Sequence, residues 1–248
     1  SYDQAQKEKL IKEIIMNEKI LIIIPAYNEE KSILRVYQGI IDYNKENNTN
    51  YDVIVINDGS IDNTKKICQE NNIPVINLVQ NLGIGGAVQT GYKYAYENNY
   101  DYAIQYDGDG QHEISCVKDI LKPLRENQAD LVVGSRFIDK NSSEFKSSAA
   151  RRMGIKIISN LIKITTGSRI YDVTSGFRAS NKTVINYFAH VYPVTNAELV
   201  KKGLRVKEVP VRMHERETGK SSIHTWKNAY FMINIFFSIL VVTLRRDK

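Results

Sequence analysis

The feature that most restricts the fold is an unbroken apolar run, Ile20-Leu21-Ile22-Ile23-Ile24, closed by Pro25. A run this short with no polar face suits a strand covered on both sides. Comparable runs recur at Val53–Ile56, Val75–Leu78, Tyr102–Tyr106 and Leu131–Val133. Helical patterns lie between them, over Glu29–Glu46, Asp62–Glu70, Gly86–Glu97 and Ser115–Arg125. The alternation predicts βαβ units on a mostly parallel central sheet flanked by helices, an α/β fold. At 248 residues, 42% hydrophobic and 25% charged, the chain suits one such domain, and disordered and fibrous classes are excluded. No linker, low-complexity stretch or internal repeat marks a second domain.

In parallel α/β sheets ligands bind at the carboxyl ends of the strands. The segments that follow the strands here are PAYNEE, NDGS, NLGIGGA, DGDGQH and GSR. In Asp107-Gly108-Asp109-Gly110-Gln111-His112, two carboxylates spaced by glycine can turn toward one hard cation, and Mg²⁺ and Mn²⁺ take oxygen ligands. An acidic turn of purely structural use gives the same letters. Asp58, in Asn57-Asp58-Gly59-Ser60, is placed to accept hydrogen bonds from a base or a ribose, or else only to shape a turn. The glycines of Asn81-Leu82-Gly83-Ile84-Gly85-Gly86 open a helix and allow a phosphate to approach the backbone. The spacing disfavours a dinucleotide fingerprint, and a P-loop is excluded because GxxxxGK[ST] is absent.

Taken as an ordered set, these motifs resemble the inverting family-2 glycosyltransferases of the GT-A (Rossmann-like) fold. More narrowly, they resemble the dolichol-phosphate mannosyltransferase and bacterial polyprenyl-phosphate glycosyltransferase group. The set continues through Gly134-Ser135-Arg136, Asp172-Val173-Thr174-Ser175-Gly176-Phe177-Arg178, and Glu215-Arg216 with Gly219-Lys220-Ser221-Ser222. The resemblance spans roughly residues 19–225. It implies that Pro25, Ala26, Tyr27 and Glu29 cradle a nucleotide, that Asp58 with Gly59 and Ser60 holds its base, and that Gly83 belongs to the same binding edge. It further implies that Asp107, Asp109 and Gln111 bind Mg²⁺ or Mn²⁺ bridging a sugar-nucleotide diphosphate. Arg136 and Arg178 would serve anionic oxygens, since a guanidinium forks onto phosphate. Arg152 would approach an acceptor phosphate, and Arg216, Ser221 and Ser222 belong to a lid-like loop over the diphosphate.

The implied reaction is displacement at the anomeric carbon with a nucleoside diphosphate leaving, uridine being favoured over guanosine. A sugar hydroxyl acceptor needs a carboxylate base. A lipid phosphate, with a second pKa near 6, is already ionised. The chain departs from its relatives after Tyr192-Pro193, where an acidic stretch is replaced by Val194-Thr195-Asn196-Ala197, leaving Glu198 as the nearby candidate base. The resemblance, with its Asp107-Gly108-Asp109-Gly110-Gln111-His112 motif, the arginines and the apolar C-terminal run, makes a polyprenyl phosphate the expected acceptor. The alternatives are a lipid-linked or surface glycan, and a catalytically inactive nucleotide-binding scaffold.

The ends bear on location. Residues 1–18 carry Leu10, Ile11, Ile14 and Ile15 at helical spacing and no signal-peptide pattern, so an amphipathic helix is expected before a 19–224 transferase domain. In 225–248, sixteen residues from Ala229 to Leu244 are nearly all apolar and are flanked by Lys227, Arg245 and Arg246. A span needs about 20 apolar residues, so the run reads as a core helix, an interfacial helix or a short span. Basic flanks suit an anionic leaflet. Two cysteines fit a reducing compartment, and a net charge of +6 fits anionic partners. Basic residues do not interleave with aromatics as nucleic-acid binding requires. The expectation is a cytoplasmic enzyme, peripheral at the inner face of the membrane, with a homo-oligomer left open.

Overall fold

The computed structural model describes residues 17–135, 175–191 and 202–212, together with 6, 160, 172, 199 and 200. The C-terminal helix expected at 225–248 lies outside these residues, and so does the N-terminal one expected at 1–18 apart from residues 6, 17 and 18. So do Arg136, Arg152, Glu198, Arg216, Ser221 and Ser222. The strands are β1 (Ile20–Ala26), β2 (Tyr51–Asn57), β3 (Val75–Asn77), β4 (Tyr102–Gln105), β5 (Leu131–Ser135), β6 (Arg178–Asn181) and β7 (Val206–Pro210). Between them run α1 (Ile33–Asn47), α2 (Thr64–Glu70), α3 (Gly83–Glu97), α4 (Val117–Arg125) and α5 (Lys182–His190). The strands follow the order β3-β2-β1-β4-β6-β5-β7. β1 pairs in parallel with β2 and β4, β2 with β3, and β5 with β7. Among the described residues, no helix is long and apolar enough to cross a membrane.

The chain divides into two compact units, 1–108 with 180–191, and 109–179 with 192–248. In the first, β1 is buried along its whole length, as its unbroken apolar run requires. Helix α3 lays Ala87, Val88, Gly91, Tyr92 and Ala95 inward, and α5 lays Val184, Ile185, Phe188 and Ala189. The Tyr92 and Phe188 rings meet edge-on at 5.0 Å. The buried Tyr92 hydroxyl reaches the Ser180 hydroxyl at 2.8 Å, which satisfies both polar atoms. In the second unit, β5 is buried throughout and pairs with β7 from Leu131↔Val206 to Ser135↔Pro210. Arg205 forks onto Asp130 beside that pair, with Nη2 to Oδ1 at 2.9 Å and Nε to Oδ2 at 3.1 Å.

Several boundaries differ from those expected from the sequence, each for a local reason. Strand β1 continues through Pro25 and Ala26 instead of stopping before them. The Ala26 carbonyl accepts the Asp58 amide toward β2, and the Ile23 carbonyl accepts the Tyr106 amide toward β4. Alternate residues face opposite neighbours, so the N–H that Pro25 lacks points to the β4 side, where pairing has ended at Gln105. Helix α1 starts at Ile33, four residues late, because Glu29–Ser32 forms a turn with Ile33 N–H on the Glu29 carbonyl. A short 3₁₀ turn, Ile114–Cys116, precedes α4. β6, α5 and β7 are elements that the sequence pattern does not mark. Their apolar stretches are short, and β6 reads Arg-Ala-Ser-Asn.

Candidate active site

The carboxyl ends of β1, β2 and β3 lie side by side, because these strands are parallel neighbours. Their loops are joined by hydrogen bonds. The Asn28 amide donates to Ser60 Oγ at 3.0 Å, and the Ile61 amide donates back to Asn28 Oδ1 at 2.9 Å. The Glu29 amide donates to Thr64 Oγ1 at 2.9 Å and the Glu30 amide to Asp62 Oδ2 at 3.1 Å. Glu30 Oε2 in turn accepts from the Asn63 amide and side chain at 3.1 and 2.9 Å. The sequence motif singles out Tyr27 and Glu29 but not Asn28 and Glu30, whose role is visible only in this cross-loop pairing. Asn28 stands in the left-handed region at φ 57°, which Asn tolerates better than bulkier residues.

Asp58 is 3% exposed. Its Oδ1 accepts the Leu82 amide at 2.7 Å, and its carbonyl accepts Asn81 Nδ2 at 3.1 Å. The carboxylate thus ties β2 to the loop before α3. Gly59 permits that approach: at φ 65° a Cβ there would lie 2.7 Å from the Asn81 nitrogen and 2.8 Å from the Gln80 carbonyl carbon. Gly83, the first residue of α3, has a different requirement. It sits at φ 78° with nothing within 4 Å of a built Cβ, so its backbone angle, not crowding, selects glycine. The amides of Leu82 and Gly83 are taken by Asp58 Oδ1 and Asn81 Oδ1 at 2.7 and 3.2 Å, so the chain itself satisfies these two amides at the helix start.

The loop after β4 carries the acidic motif. Asp107 and Asp109 are both half-buried. Gly108 sits against β1: a Cβ there would lie 3.2 Å from Ile24 Cγ2, 3.3 Å from the Pro25 carbonyl oxygen and 3.7 Å from Glu29 Cγ. The Glu29 carboxylate meanwhile accepts the Ser32 hydroxyl at 2.8 Å, which stiffens the turn leading into α1. Asp109 Oδ1 accepts the Gln111 amide at 3.0 Å, closing a tight turn that continues through Gly110 at φ 78°. Among the described residues, no group of three or more His, Cys, Asp or Glu side chains converges on one point.

In the second unit, three motifs meet around the fully buried Phe177. The His112 ring stacks on it with centroids 4.9 Å apart and planes at 29°. The Gly134 amide donates to the Phe177 carbonyl at 2.8 Å, and Ser175 Oγ donates to the Gly134 carbonyl at 2.6 Å. A Cβ on Gly134 would lie 2.9 Å from the Phe177 ring and 3.0 Å from both Val211 methyls. His112, Ser175 and Phe177 therefore hold the end of β5 and the start of β6, where Arg178 stands. Arg178 itself is half-buried at the start of β6. Sequence spacing marks these motifs, but not that they share one aromatic ring.

The family model for glycosyl transferase family 2 matches residues 21–188. The UDP-N-acetylglucosamine–dolichyl-phosphate N-acetylglucosaminyltransferase of Methanococcus voltae is 32% identical, over 91% of this chain and 96% of its own length. The undecaprenyl-phosphate mannosyltransferase of Micrococcus luteus is 27% identical, over 83% of this chain and 87% of its own. In three dimensions the chain resembles glucosyl-3-phosphoglycerate synthase from Mycobacterium tuberculosis in complex with Mn²⁺, uridine diphosphate and phosphoglyceric acid. That match has a TM-score of 0.67 at 15% identity and covers 94% of this chain and 81% of the other. It supports the GT-A-like fold expected from the motifs. With its ordered motifs, its parallel strand core and a family match over most of its length, the chain belongs to glycosyl transferase family 2 and is a glycosyltransferase.

Proposed function

We propose that this glycosyltransferase moves a sugar from a nucleoside diphosphate donor, uridine before guanosine, to a polyprenyl phosphate. Transfer would invert the anomeric carbon: its bond to the diphosphate oxygen breaks as an acceptor phosphate oxygen bonds from the opposite face. The observation that carries the reading is the Asp107-Gly108-Asp109 turn, packed through Gly108 against the β1 loop. Two half-buried carboxylates followed by Gln111 offer oxygen donors only. Mg²⁺ and Mn²⁺ are commonly held by one or two carboxylates together with substrate phosphates. That matches a site where no third acidic or imidazole side chain converges among the described residues. When bound, the cation neutralises charge on the departing diphosphate.

The chain's own groups do the rest. Asp58, immobilised through Oδ1, presents its second oxygen to a base N–H. Pro25, Ala26 and Tyr27 form the floor beside it, and Tyr27 is 37% exposed. By motif position, Arg136, Arg178 and Arg152 screen and orient phosphate oxygens, and Arg216, Ser221 and Ser222 cover the diphosphate. An ionised lipid phosphate needs this orientation more than a base, so Glu198 is dispensable for that acceptor. Relatives named for dolichyl and undecaprenyl phosphate support the lipid acceptor and with it action at a membrane, which we place at the inner face.

The test incubates the purified chain with Mn²⁺, uridine or guanosine diphosphate sugars, and either undecaprenyl phosphate or an oligosaccharide. Product is expected on the lipid phosphate, to disappear with a chelator, and to fall at least about a hundredfold in Asp109→Asn. Product on the oligosaccharide alone, or activity indifferent to the chelator, refutes the reading.

A further inference from the structure

The bonds joining the β1 and β2 loops form a zipper with an inner and an outer end. The inner end, Ala26 with Asp58 and Glu29 with Thr64, is partly buried and continues the sheet. The outer end is the reciprocal pair at Asn28, and both of its bonds are exposed. Asn28 lies between Tyr27 and Glu29, and its partners Ser60 and Ile61 directly follow the Asp58-Gly59 turn. The Tyr27 tip is thus tied to the residues just after Asp58-Gly59 by the Asn28 amide on Ser60 Oγ and by the Asn28 side chain on the Ile61 amide, while Glu29 and Glu30 tie the same loops farther along at Thr64, Asp62 and Asn63. An exposed bond of this kind is contested by water, so losing the Asn28 side-chain bond loosens the tips without unpairing β1 from β2.

We propose that Asn28 is a positioning residue that fixes the Tyr27 tip against the Asp58–Ser60 tip, so that the nucleoside cradle is formed before the donor arrives. This rests on the reading of that edge as the nucleotide site. Ordering loops at the moment of binding costs affinity, and a preformed site avoids the cost. Two properties of Asn are needed together: tolerance of φ 57° and a side-chain acceptor for the Ile61 amide. Glycine keeps the first and loses the second, whereas aspartate keeps both.

The experiment measures binding of uridine diphosphate with Mn²⁺ by titration calorimetry, with guanosine diphosphate alongside. The proteins are wild type, Asn28→Gly, Asn28→Asp and a control, Asn44→Ala. Asn44 ties a turn at the other end of β2, donating to the Tyr51 carbonyl at 2.9 Å and accepting from Thr49 Oγ1 at 2.8 Å. Asn28→Gly is expected to raise the dissociation constant about five- to tenfold, the equivalent of one lost hydrogen bond. Asn28→Asp should stay near wild type. Asn44→Ala should lower the melting temperature and leave nucleotide affinity unchanged. If wild type binds neither nucleotide, the reading of the site fails and takes the proposal with it. If wild type binds and Asn28→Gly binds equally well, or Asn28→Asp is as weak as Asn28→Gly, the positioning role fails while the site reading stands.

Discussion

Helices α1 and α3 are each 15 residues long and each has an interior glycine, Gly39 and Gly91. Helix propensity alone makes alanine better at both by about 0.5–1 kcal/mol. Packing gives the two substitutions opposite signs. A Cβ on the exposed Gly39 meets nothing within 4 Å, so Gly39→Ala keeps the full gain. At about 2–4 °C per kcal/mol for a chain of this size, its melting temperature rises by about 1–4 °C. Gly91 faces β1, where a Cβ would lie 2.2 Å from Ile23 Cγ2 and 3.1 Å from Ile23 Cγ1 and Cδ1. Ile23 is 0% exposed and sits in a strand paired on both sides, so relief requires moving α3 or the strand. Overpacking of this kind costs about 1–3 kcal/mol. Set against the propensity gain of about 0.5–1 kcal/mol, the net loss centres on about 1 kcal/mol and reaches at most about 2.5 kcal/mol, or up to about 10 °C. The assay is thermal unfolding followed by circular dichroism, with Ile23→Ala and the double variant completing a cycle. Ile23→Ala alone should cost about 2–5 kcal/mol. The added methyl fills part of that space, so the double variant should be less damaged than the two losses added. A Gly91→Ala protein melting at or above wild type, or strictly additive losses, would refute the packing argument.

Two further outcomes follow from the described groups. Cys68 is fully buried and desolvation pushes its thiol up to about 11; Cys116 is also buried and raised, by burial first. Both should resist a disulfide reagent at pH 8 in the native protein and react on unfolding, since thiolate is the reactive form; fast native labelling would contradict the burial. For Asp101, burial opposes ionisation, but hydrogen bonds from Lys182 Nζ and the Lys19 amide, both at 2.8 Å, outweigh it and lower its pKa. A lowered carboxylate pKa gives stability that is present above the unfolded value, near 3.9, and is lost as pH falls through the folded one. Lys182→Ala should therefore cost up to about 1 kcal/mol at pH 7, and the difference from wild type should shrink as the pH drops below about 4. A difference that persists unchanged at pH 2 would assign the effect to something other than this pair.

Much of the candidate site was legible because its residue types are constrained locally. A carboxylate beside glycine at a strand end, as at Asp107-Gly108-Asp109 and Asp58-Gly59, is written in adjacent letters. What stayed illegible depends on residues far apart in sequence. Phe177 reads as filler in a motif, and only the fold gathers His112, Gly134 and Val211 around its ring. Glu29 reads as a nucleotide ligand, and the structure shows its carboxylate also engaged with Ser32. Helix ends were hidden for another reason. Asn48, Asn72, Asn99 and Asn127 take left-handed angles just past helices, a place where glycine is the usual signal.

The sequence by itself determined the layer pattern, because unbroken apolar runs alternating with helical periods are stable only as covered parallel strands. It also marked which strand ends make up the candidate site, because each of those strands is followed by a polar segment, several of them glycine-rich. Only the tertiary structure decided which of those polar groups serve the chain itself. Asp58 Oδ1 and Asn28 Oδ1 are committed to amides of neighbouring loops 24 and 33 residues away, and Asn81 Oδ1 to an amide 2 residues on in its own loop. Partners at the longer separations are set by strand order and register, and no local pattern encodes them. Likewise only packing separates Gly91 from Gly39: both are the same residue in a helix of the same length, but one has Ile23 beneath it and the other has water.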